Sequence, residues 1–410
     1  MFVQSVRTGY LVKFETDNWK KTKLSCPYKV MTDQILIISL WNPTDEQPSK
    51  GLFIHEQVKA ICQLRSDIIF LEINILPSKK TIFNQTVSNQ VYEGNKKLTI
   101  TIHSVLWKLI YVNYWLIYCL AHKTLRKNDP TFKPSLVHSN IIFPCALVGH
   151  LLAKKFNSRH IISEHWSNAE KLLKHPIFGK KALNAYRKSD AILCVSAFLA
   201  NKIRSITRHP NIVIIPNIID TEQFRYIPKQ FDRSKIHFAC CAIWKKPKRL
   251  DLIVNSLIRF ATEHNDNSYV LHVIGKVIQK NEFATCAIPE NLTINWLGFI
   301  TKPEIVKVLG TTDFFLHASD IETFSIVTAE ALSTGTPVLA SNTGALPELI
   351  NTSNGLLVEN TINAWTTGLH TITQTTFSNQ TIAQEVSNKY SPESVANSID
   401  MVYQKVMEHH

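Results

Sequence analysis

The 410-residue sequence is poor in glycine and has no metal-type cysteine spacing. Only 12 residues are glycine, so each glycine in a predicted loop is a candidate for a backbone position that other residues adopt poorly. Eight cysteines are present, but none forms a C-x-x-C pair, which argues against a zinc site. Most cysteines stand inside apolar runs such as "AILCVS" and "FACCAIW". They are typical of small buried side chains in a reducing compartment.

The first 30 residues lack the apolar stretch of a secretory signal and are rich in Lys and Thr. The first strongly apolar run begins at Ile35. We therefore predict that residues 1–30 form a poorly ordered N-terminal extension, with Met31 as an alternative start.

The charge balance is basic, with 45 Lys and Arg against 32 Asp and Glu and a net charge of +13. Such a balance suits nucleic acid, an anionic membrane surface or an acidic substrate. Aromatic-and-glycine signatures, zinc fingers and basic zippers are all missing, which argues against nucleic acid as a partner. The charge instead favours contact with a membrane surface or a phosphate-bearing substrate.

One stretch, "SVLWKLIYVNYWLIYCLAHK" (104–123), is apolar and aromatic for almost twenty residues. Three interpretations are open: a buried helix, an interfacial helix that touches the bilayer, and a transmembrane span. Lys108, Asn113 and His122 interrupt the stretch, and strand-like segments flank it. These interruptions favour the buried helix.

Short apolar, β-branched runs alternate with helical patterns in two series of six. The first series lies at 35–40, 68–76, 135–139, 160–164, 191–196 and 212–217. The second series lies at 236–243, 269–275, 292–298, 313–319, 337–341 and 355–359. Runs that are apolar throughout are typical of parallel strands covered on both faces, and the alternation predicts two doubly wound α/β sheets.

The chain length suits two domains of roughly 180 residues each. A segment rich in Pro, Asp, Gln and Lys predicts a linker near 218–234. The predicted parts are an N-terminal Rossmann-like domain, a C-terminal Rossmann-like domain and a terminal helix, at 31–218, 219–390 and 391–410. Ser391 is placed as the N-cap of that helix, and Pro392 as its first residue. Ligands bind beyond the carboxyl ends of such strands, so two facing domains predict a cleft.

The most informative segment is "HASDIETFSIVTAEALSTGTPVLASNTGALPELI" (317–350). A predicted strand ends here, and a loop then leads into a helix that Ser325 can cap. Free backbone N–H groups of Phe324, Ser325 and Ile326 at the helix start can hold a diphosphate. Glu330, in the first turns, can accept hydrogen bonds from two ribose hydroxyls. Glu322, in the loop, can hold hydroxyls of a sugar, and Thr323 beside it is a further substrate-binding candidate.

This segment resembles glycosyltransferase family 4, the large retaining family with the GT-B fold. Its following turns, "GTPV" and "GALPELI", strengthen the resemblance, which covers nearly all of 35–405. The resemblance implies two facing Rossmann-like domains with parallel sheets and a ligand cleft between them. It also implies transfer of a glycosyl group from a nucleotide diphosphate sugar to an acceptor hydroxyl, with retained configuration and no metal or other cofactor. Glu322 and Glu330 are then the donor-sugar and ribose contacts.

Two N-terminal stretches continue the resemblance. "SLWNPTDEQPSKGLFIHEQVKAI" (39–61) is similar to the family's first strand and loop, where Gly51 would let the backbone approach donor and acceptor. The glycine pair common in the family is absent. "IISEHWSNAEK" (161–171) places His165 across the cleft, in contact with the transferred sugar.

The basic loop in "FACCAIWKKPKRLDLIVNSL" departs from the family pattern. Lys248 takes the place of the family's diphosphate-binding lysine and is grouped with Glu322 and His165 as catalytic. The arginine that usually precedes it falls on Ile243. Lys245 or Lys246 would then supply the missing charge, although a solvated basic loop is the alternative.

Two further strands are similar to those that line the family's base pocket, "LHVIGK" (271–276) and "WLGFITKPEIVKVL" (296–309). Gly275 would give room for the nucleotide. The backbone from Gly298 through Phe299 to Ile300 would read the base edge.

The predicted enzyme is a metal-independent hexosyltransferase whose partners are a nucleotide-sugar donor and a glycan or lipid-linked acceptor. Cell-surface polysaccharide biosynthesis at the cytoplasmic side, with the protein peripheral on the inner membrane face, suits that acceptor. No D-x-D pair follows a predicted strand, which argues against the metal-dependent transferase fold. The alternatives are a catalytically inactive family member that serves as a binding or scaffold protein, and another GT-B enzyme such as an epimerase or a phosphorylase.

Overall fold

A computed structural model describes residues 34–44, 50–226, 228–229, 234–277 and 287–408. The chain divides into two compact units, Met1–Thr32 and Asp33–His410. The first unit lies outside the described residues, and with it the predicted N-terminal extension at 1–30, Met31 and Cys26. Cys286 lies outside them as well.

The first sheet has eight strands in the order β3-β4-β2-β1-β5-β6-β7-β8. All neighbours are parallel except β3 and β4, which form an antiparallel hairpin at one edge. The strands are β1 (Ile35–Ser39), β2 (Ile68–Pro77), β3 (Asn84–Tyr92), β4 (Asn95–Ser104), β5 (Leu136–Asn140), β6 (Arg159–Glu164), β7 (Ala191–Cys194) and β8 (Ile212–Ile214). The helices are α1 (Leu52–Leu64), α2 (Trp107–Val112), α3 (Tyr114–Asn128), α4 (Leu147–Phe156), α5 (Ala169–Leu173), α6 (Gly179–Lys188) and α7 (Ala197–Thr207). A kinked turn at Ile142–Ala146, in which Phe143 is extended, precedes α4.

The second sheet is wholly parallel and has six strands in the order β11-β10-β9-β12-β13-β14. Its strands are β9 (Lys235–Cys241), β10 (Ser268–Ile274), β11 (Leu292–Gly298), β12 (Phe314–His317), β13 (Val338–Ser341) and β14 (Gly355–Val358). The helices are α8 (Leu250–Glu263), α9 (Lys302–Gly310), α10 (Ile326–Ser333), α11 (Leu346–Leu349), α12 (Ile362–Gln374), α13 (Asn379–Tyr390) and α14 (Pro392–Glu408). The predicted class, α/β with two parallel-sheet domains, is confirmed, and a strand lies at each of the twelve predicted runs.

Strand β1 shows why these runs are apolar throughout. Alternate side chains of a strand point to opposite faces of the sheet. Ile35 and Ile37 pack with α1 and α14 on one face, while Leu36 and Ile38 pack with α3 and α4 on the other. Both faces are covered, so the four consecutive positions from Ile35 to Ile38 are all apolar.

The terminal helix α14 returns to the first sheet. Its residues Val395, Ile399 and Tyr403 are buried against the face that α1 also covers. The Tyr403 hydroxyl lies 2.6 Å from Nδ1 of His138 in β5. Ser391 precedes the helix as predicted, and its hydroxyl accepts a hydrogen bond from the Ser394 amide at 3.3 Å.

The apolar stretch at 104–123 forms two helices, so the prediction of one buried helix is wrong. Asn113 ends α2 and caps α3, where its side chain accepts from the Leu116 amide at 3.1 Å. Ile110 and Ile117 are buried, but Leu109 and Trp115 are 64% and 62% exposed. Within the described residues, no helix combines the length and the apolar character that crossing a membrane requires.

Contacts also join helices that flank the second sheet to helices that flank the first. The Glu348 carboxylate of α11 accepts from the amides of Ala197 and Phe198, at 2.6 and 2.7 Å, at the start of α7. Lys302 of α9 lies 3.7 Å from Glu56 of α1. The Glu348 carboxylate stabilises the N-terminus of α7, because the free N–H groups there carry partial positive charge.

Candidate functional site

Four polar side chains meet at the carboxyl ends of β9 and β12, which are neighbours in the second sheet. Lys248 Nζ contacts Glu322 Oε1, and His317 Nε2 lies 2.7 Å from the same oxygen. Ser325 Oγ lies 3.2 Å from His317 Nε2. Lys248 follows β9, His317 ends β12, Glu322 stands in the next loop, and Ser325 precedes α10. We call these four residues the lysine–glutamate cluster.

The electrostatics of the cluster keep Glu322 ionised. Burial alone would raise the pKa of Glu322, but His317 and Lys248 outweigh it and hold that pKa at about 2. Burial lowers the pKa of His317, and the Lys248 charge lowers it further. A neutral His317 therefore donates from Nε2 to a carboxylate that also neutralises Lys248.

His317 was missed by the sequence analysis. It is fully buried, and its Nδ1 has no hydrogen-bond partner among the residues that the structure describes. Its position was the available signal, because it lies near the carboxyl end of the strand predicted at 313–319 and stands five residues before Glu322. Ligand-binding side chains concentrate at such strand ends.

The start of α10 differs from the prediction in one respect. Ser325 precedes the helix, but its side chain does not cap it. Its backbone is left-handed, with φ of 75°, and its Oγ lies 2.8 Å from Thr328 Oγ1. Because no side chain caps this end, the first N–H groups of α10 are available to an anion, as the diphosphate prediction requires.

Glu330 lies in α10 with only 9% of its surface exposed. Burial raises the pKa of Glu330 to about 7, with Asp220 and Glu56 adding to the rise and Lys302 opposing it. The predicted ribose carboxylate is therefore held close to the middle of its titration at neutral pH.

We expect Glu330→Gln to stabilise the ligand-free protein increasingly as pH rises. Below the unfolded pKa of about 4.5 the carboxyl is protonated in both states and folding is not penalised. Between 4.5 and about 7 only the unfolded state ionises, so wild-type stability falls. The gain from the substitution should reach about 3 kcal/mol by pH 8. Urea unfolding of both proteins at pH 5 and pH 8 measures it, and a pH-independent difference contradicts the assignment.

His165 follows β6 and lies beside the loop between β12 and α10 of the second sheet. Its backbone oxygen is 3.4 Å from Thr323 Oγ1, so the structure brings His165 next to the lysine–glutamate cluster. Its Nδ1 lies 3.0 Å from Asn217 Oδ1, and its ring packs on Phe53 with centroids 4.6 Å apart. Burial lowers the pKa of His165 to about 4, so the ring is neutral. Nε2 is buried and unpartnered within the described part of the chain.

Gly51 precedes α1 in a left-handed conformation, with φ of 68°. A Cβ at this position would lie 1.9 Å from the Trp41 carbonyl oxygen, well inside contact distance. The loop after β1 therefore approaches α1 so closely that only glycine is accommodated. Phe53, which packs on His165, lies two residues further on.

We expect Gly51→Ala to destabilise the protein by more than the strain of positive φ alone. That strain is of order 1 kcal/mol, and the overlap with Trp41 adds to it. Gly94→Ala is the matched control, because Gly94 also has positive φ, 73°, but a Cβ there would meet nothing within 4 Å. Thermal unfolding of both variants separates the two effects. Equal losses would show that the Trp41 contact relaxes without penalty.

The lysines of the basic loop have different surroundings in the structure. Lys248 belongs to the lysine–glutamate cluster, whereas Lys245 and Lys246 are exposed and make no ion pair within the described residues. Ile243, at the arginine place, is 51% exposed. Arg249 pairs with Asp251 and Asp320, at 2.8 and 3.2 Å. Lys248 is thus the member of this loop that stands at the strand ends.

The predicted base-pocket residues lie at the carboxyl ends of β10 and β11. Gly275 has φ of 106°, and a Cβ there would lie 1.9 Å from the Ala242 carbonyl oxygen. The approach of the backbone directly after β9 is therefore enough to require glycine at this position. The Gly275 amide donates to the Gly298 carbonyl at 2.6 Å, and Phe299 is 77% exposed beside it.

Two family models match different parts of this chain. Residues 87–223 match the model described as Glycosyltransferase Family 4, and residues 234–374 match the model described as Glycosyl transferases group 1. Together they cover about two thirds of the chain, with one match on each sheet. The second match contains Lys248, His317, Glu322, Ser325 and Glu330.

Individual proteins agree with these models. An uncharacterized glycosyltransferase of Methanocaldococcus jannaschii is 26% identical over 70% of this chain and 78% of its own length. A GDP-mannose-dependent alpha-(1-6)-phosphatidylinositol dimannoside mannosyltransferase of Mycobacterium tuberculosis is 24% identical over 45% of this chain, which spans about half of that protein, 49%. Sucrose-phosphate synthase from Thermosynechococcus elongatus shares the fold with a TM-score of 0.68, at 14% identity over 92% of this chain and 100% of its own. The chain therefore belongs to the glycosyltransferases of family 4 and has the GT-B fold.

Proposed function

We propose that the protein transfers a hexosyl group from a nucleotide diphosphate sugar to an acceptor hydroxyl with retained anomeric configuration. The observation that carries the proposal is the lysine–glutamate cluster with His165 beside it. A cation, an uncapped helix start, an ionised carboxylate and a neutral histidine stand together at the strand ends. Such a set suits an anionic leaving group attached to a polyhydroxylated ring.

In this proposal Lys248 and the first N–H groups of α10 hold the diphosphate. As the bond from the anomeric carbon to the diphosphate oxygen breaks, negative charge grows on that oxygen, and a fixed cation and fixed N–H dipoles stabilise it. The acceptor oxygen forms the new bond on the same face, and its proton passes to the departing diphosphate. Glu322 and His165 hold sugar hydroxyls, which places the anomeric carbon for attack. Glu330 accepts hydrogen bonds from the ribose.

The same proposal assigns the two partners to the two sheets. The donor binds in a domain at 219–390, and the acceptor in a domain at 31–218. A glycan or lipid-linked glycan of cell-surface polysaccharide biosynthesis is the proposed acceptor, at the inner membrane face. The name of the mycobacterial relative, which includes both GDP-mannose and a phosphatidylinositol glycolipid, supports a nucleotide-sugar donor and a lipid-linked acceptor.

Thermal-shift screening against UDP-, GDP-, ADP- and dTDP-sugars tests the donor half. A donor that binds the folded protein stabilises it by mass action and so raises the melting temperature. At a donor concentration of a hundred times the Kd, the gain in the free energy of unfolding is about 2.7 kcal/mol. The donor found is then incubated with glycan acceptors, and proton NMR of the product gives the anomeric configuration. Inversion would refute the retaining mechanism. Absence of any donor shift would favour an inactive binding or scaffold protein.

We expect EDTA to leave the transfer rate unchanged within about twofold. The proposed diphosphate contacts are an ammonium group and backbone N–H groups, which chelation does not affect. Initial rates are measured after dialysis against EDTA, with and without added Mg²⁺ and Mn²⁺. A loss of activity that either metal restores would show that the diphosphate is neutralised by a metal ion, and the mechanism above would then be wrong.

A further inference from the structure

Seven exposed apolar side chains gather on one side of the first sheet, and we call them the apolar face. They come from the loop before β3, the turn after β4, and helices α2 and α3: Ile82, Phe83, Val105, Leu106, Leu109, Val112 and Trp115. Backbone contacts hold the first two groups together. The Val105 amide donates to the Thr81 carbonyl at 2.8 Å, and Ser104 Oγ donates to the Ile82 carbonyl.

The apolar face has a buried counterpart on the same elements. Ile110 and Ile117 are 7% and 0% exposed and join the core of the first sheet. Leu109 and Trp115, by contrast, are 64% and 62% exposed, and Ile82 reaches 73%. Helix α2 and the start of α3 thus bury one side and leave an apolar side uncovered. Contiguous exposed apolar surface of this kind marks an interaction site.

The charges on the elements that carry the apolar face are mostly positive. Between Ile73 and Asn128 the sequence has a single acidic residue, Glu93. The same segment has eight basic residues: Lys79, Lys80, Lys96, Lys97, Lys108, Lys123, Arg126 and Lys127. Of these, Lys97 is paired with Glu72, whereas Lys79, Lys80 and Lys108 are exposed beside the apolar face. Lys108 lies 5.6 Å from the Trp107 ring centroid.

The inner side of α2 reaches the candidate site. The Trp41 indole N–H donates to the Tyr111 hydroxyl at 3.1 Å. The Trp41 ring meets the Trp166 ring edge-on at 6.1 Å, and Trp166 directly follows His165. A path of three aromatic side chains, Tyr111, Trp41 and Trp166, therefore connects α2 with the residue next to His165, which we assign to the transferred sugar.

We propose that the apolar face docks on an anionic phospholipid bilayer, so that an acceptor in that bilayer enters the site past α2. This inference rests on the proposed function for the acceptor, but the docking itself does not require it. Apolar side chains that insert at the headgroup level, flanked by lysines, are the chemistry by which proteins bind anionic membranes. A second copy of this chain on the same face would bring like charges together, which opposes association.

Vesicle co-sedimentation tests the docking. We expect the wild-type protein to bind vesicles of phosphatidylglycerol and phosphatidylcholine at least tenfold more tightly than phosphatidylcholine alone. The double variant Leu109→Ser, Trp115→Ser should bind the anionic vesicles at least tenfold more weakly. The triple variant Lys79→Gln, Lys80→Gln, Lys108→Gln should lose the preference for anionic lipid. Met401→Ser removes an apolar side chain of similar exposure, 62%, from α14 and should bind as wild type.

Circular dichroism and donor thermal shift on each variant show that fold and donor site are intact. Equal vesicle binding by wild type and the double variant, or no binding by wild type, would overturn the docking. A concentration-dependent dimer that the double variant abolishes would assign the face to a second copy and would also overturn it. Vesicle binding without any donor shift would leave the docking standing and refute the proposed function.

Discussion

Lys248→Ala is expected to weaken binding of the nucleotide-sugar donor roughly thirty- to a hundredfold. Removing a buried charge-assisted contact to phosphate costs about 2 to 3 kcal/mol. Lys248 is the cation that the structure places beside Glu322 and His317. Titration calorimetry with the donor measures the loss. Because the substitution also leaves Glu322 without its cationic partner, thermal unfolding must confirm that the variant is folded at the assay temperature.

The neighbouring lysines are the matched controls for that experiment. Lys245 and Lys246 lie in the same loop and are exposed. Lys245→Ala or Lys246→Ala reveals whether either lysine replaces the family's arginine, since a replacement would lose about as much affinity as Lys248→Ala. The variant of the lysine that does not replace the arginine should bind the donor as tightly as the wild-type protein. If all three variants bind as wild type, the basic loop is solvated surface and the diphosphate contacts are elsewhere.

Glu322→Gln is expected to lower the turnover number about a hundredfold or more, within the range found when one positioned polar contact to a transition state is removed. Glutamine keeps the size of the side chain and its capacity to accept from His317, but it loses the charge. The pKa of Glu322 is held at about 2, so the wild-type carboxylate is ionised throughout the assay range. Initial rates at saturating donor measure the effect.

The control for this variant lies in stability and donor affinity. Loss of the charge that neutralises Lys248 should lower the melting temperature, because Glu322 is mostly buried. Donor affinity should change less than turnover if Glu322 acts mainly in the transition state. Wild-type turnover by a folded Glu322→Gln protein would remove Glu322 from the donor-sugar contacts.

The core strands were predictable because burial on both faces of a sheet produces a run of consecutive apolar residues, which is visible in the sequence. Ile35 through Ile38 are all apolar, since odd and even positions enter different cores. The hairpin of β3 and β4 left no such signal. Residues of β3 are largely exposed, with polar Asn, Gln, Ser and Thr at most positions, and β4 alternates. An edge strand with polar side chains resists pairing with other chains, but it also looks like a loop in sequence.

Site residues were predictable where the residue type and its position after a predicted strand were enough to suggest them. Glu322, Lys248 and His165 were expected near one another and are brought together. The role of Ser325 was not predictable, because a serine before a helix usually caps it. Here its left-handed backbone turns the hydroxyl toward Thr328 and His317. His317 was overlooked because its contacts with Lys248 and Glu322 depend on tertiary structure.

The helix α14 has a consequence for recombining this protein with its relatives. The polypeptide passes between the sheets twice, once after β8 and again where α13 gives way to α14. Val395 and Tyr403 belong to the core of the first sheet, and Arg65 of that part pairs with Asp400 at 2.6 Å. A hybrid that joins a foreign C-terminal half after β8 would therefore lose the α14 side chains that pack on the first sheet and pair with Arg65. The exchangeable module is the interior segment from β9 to Tyr390, with α14 retained from the recipient.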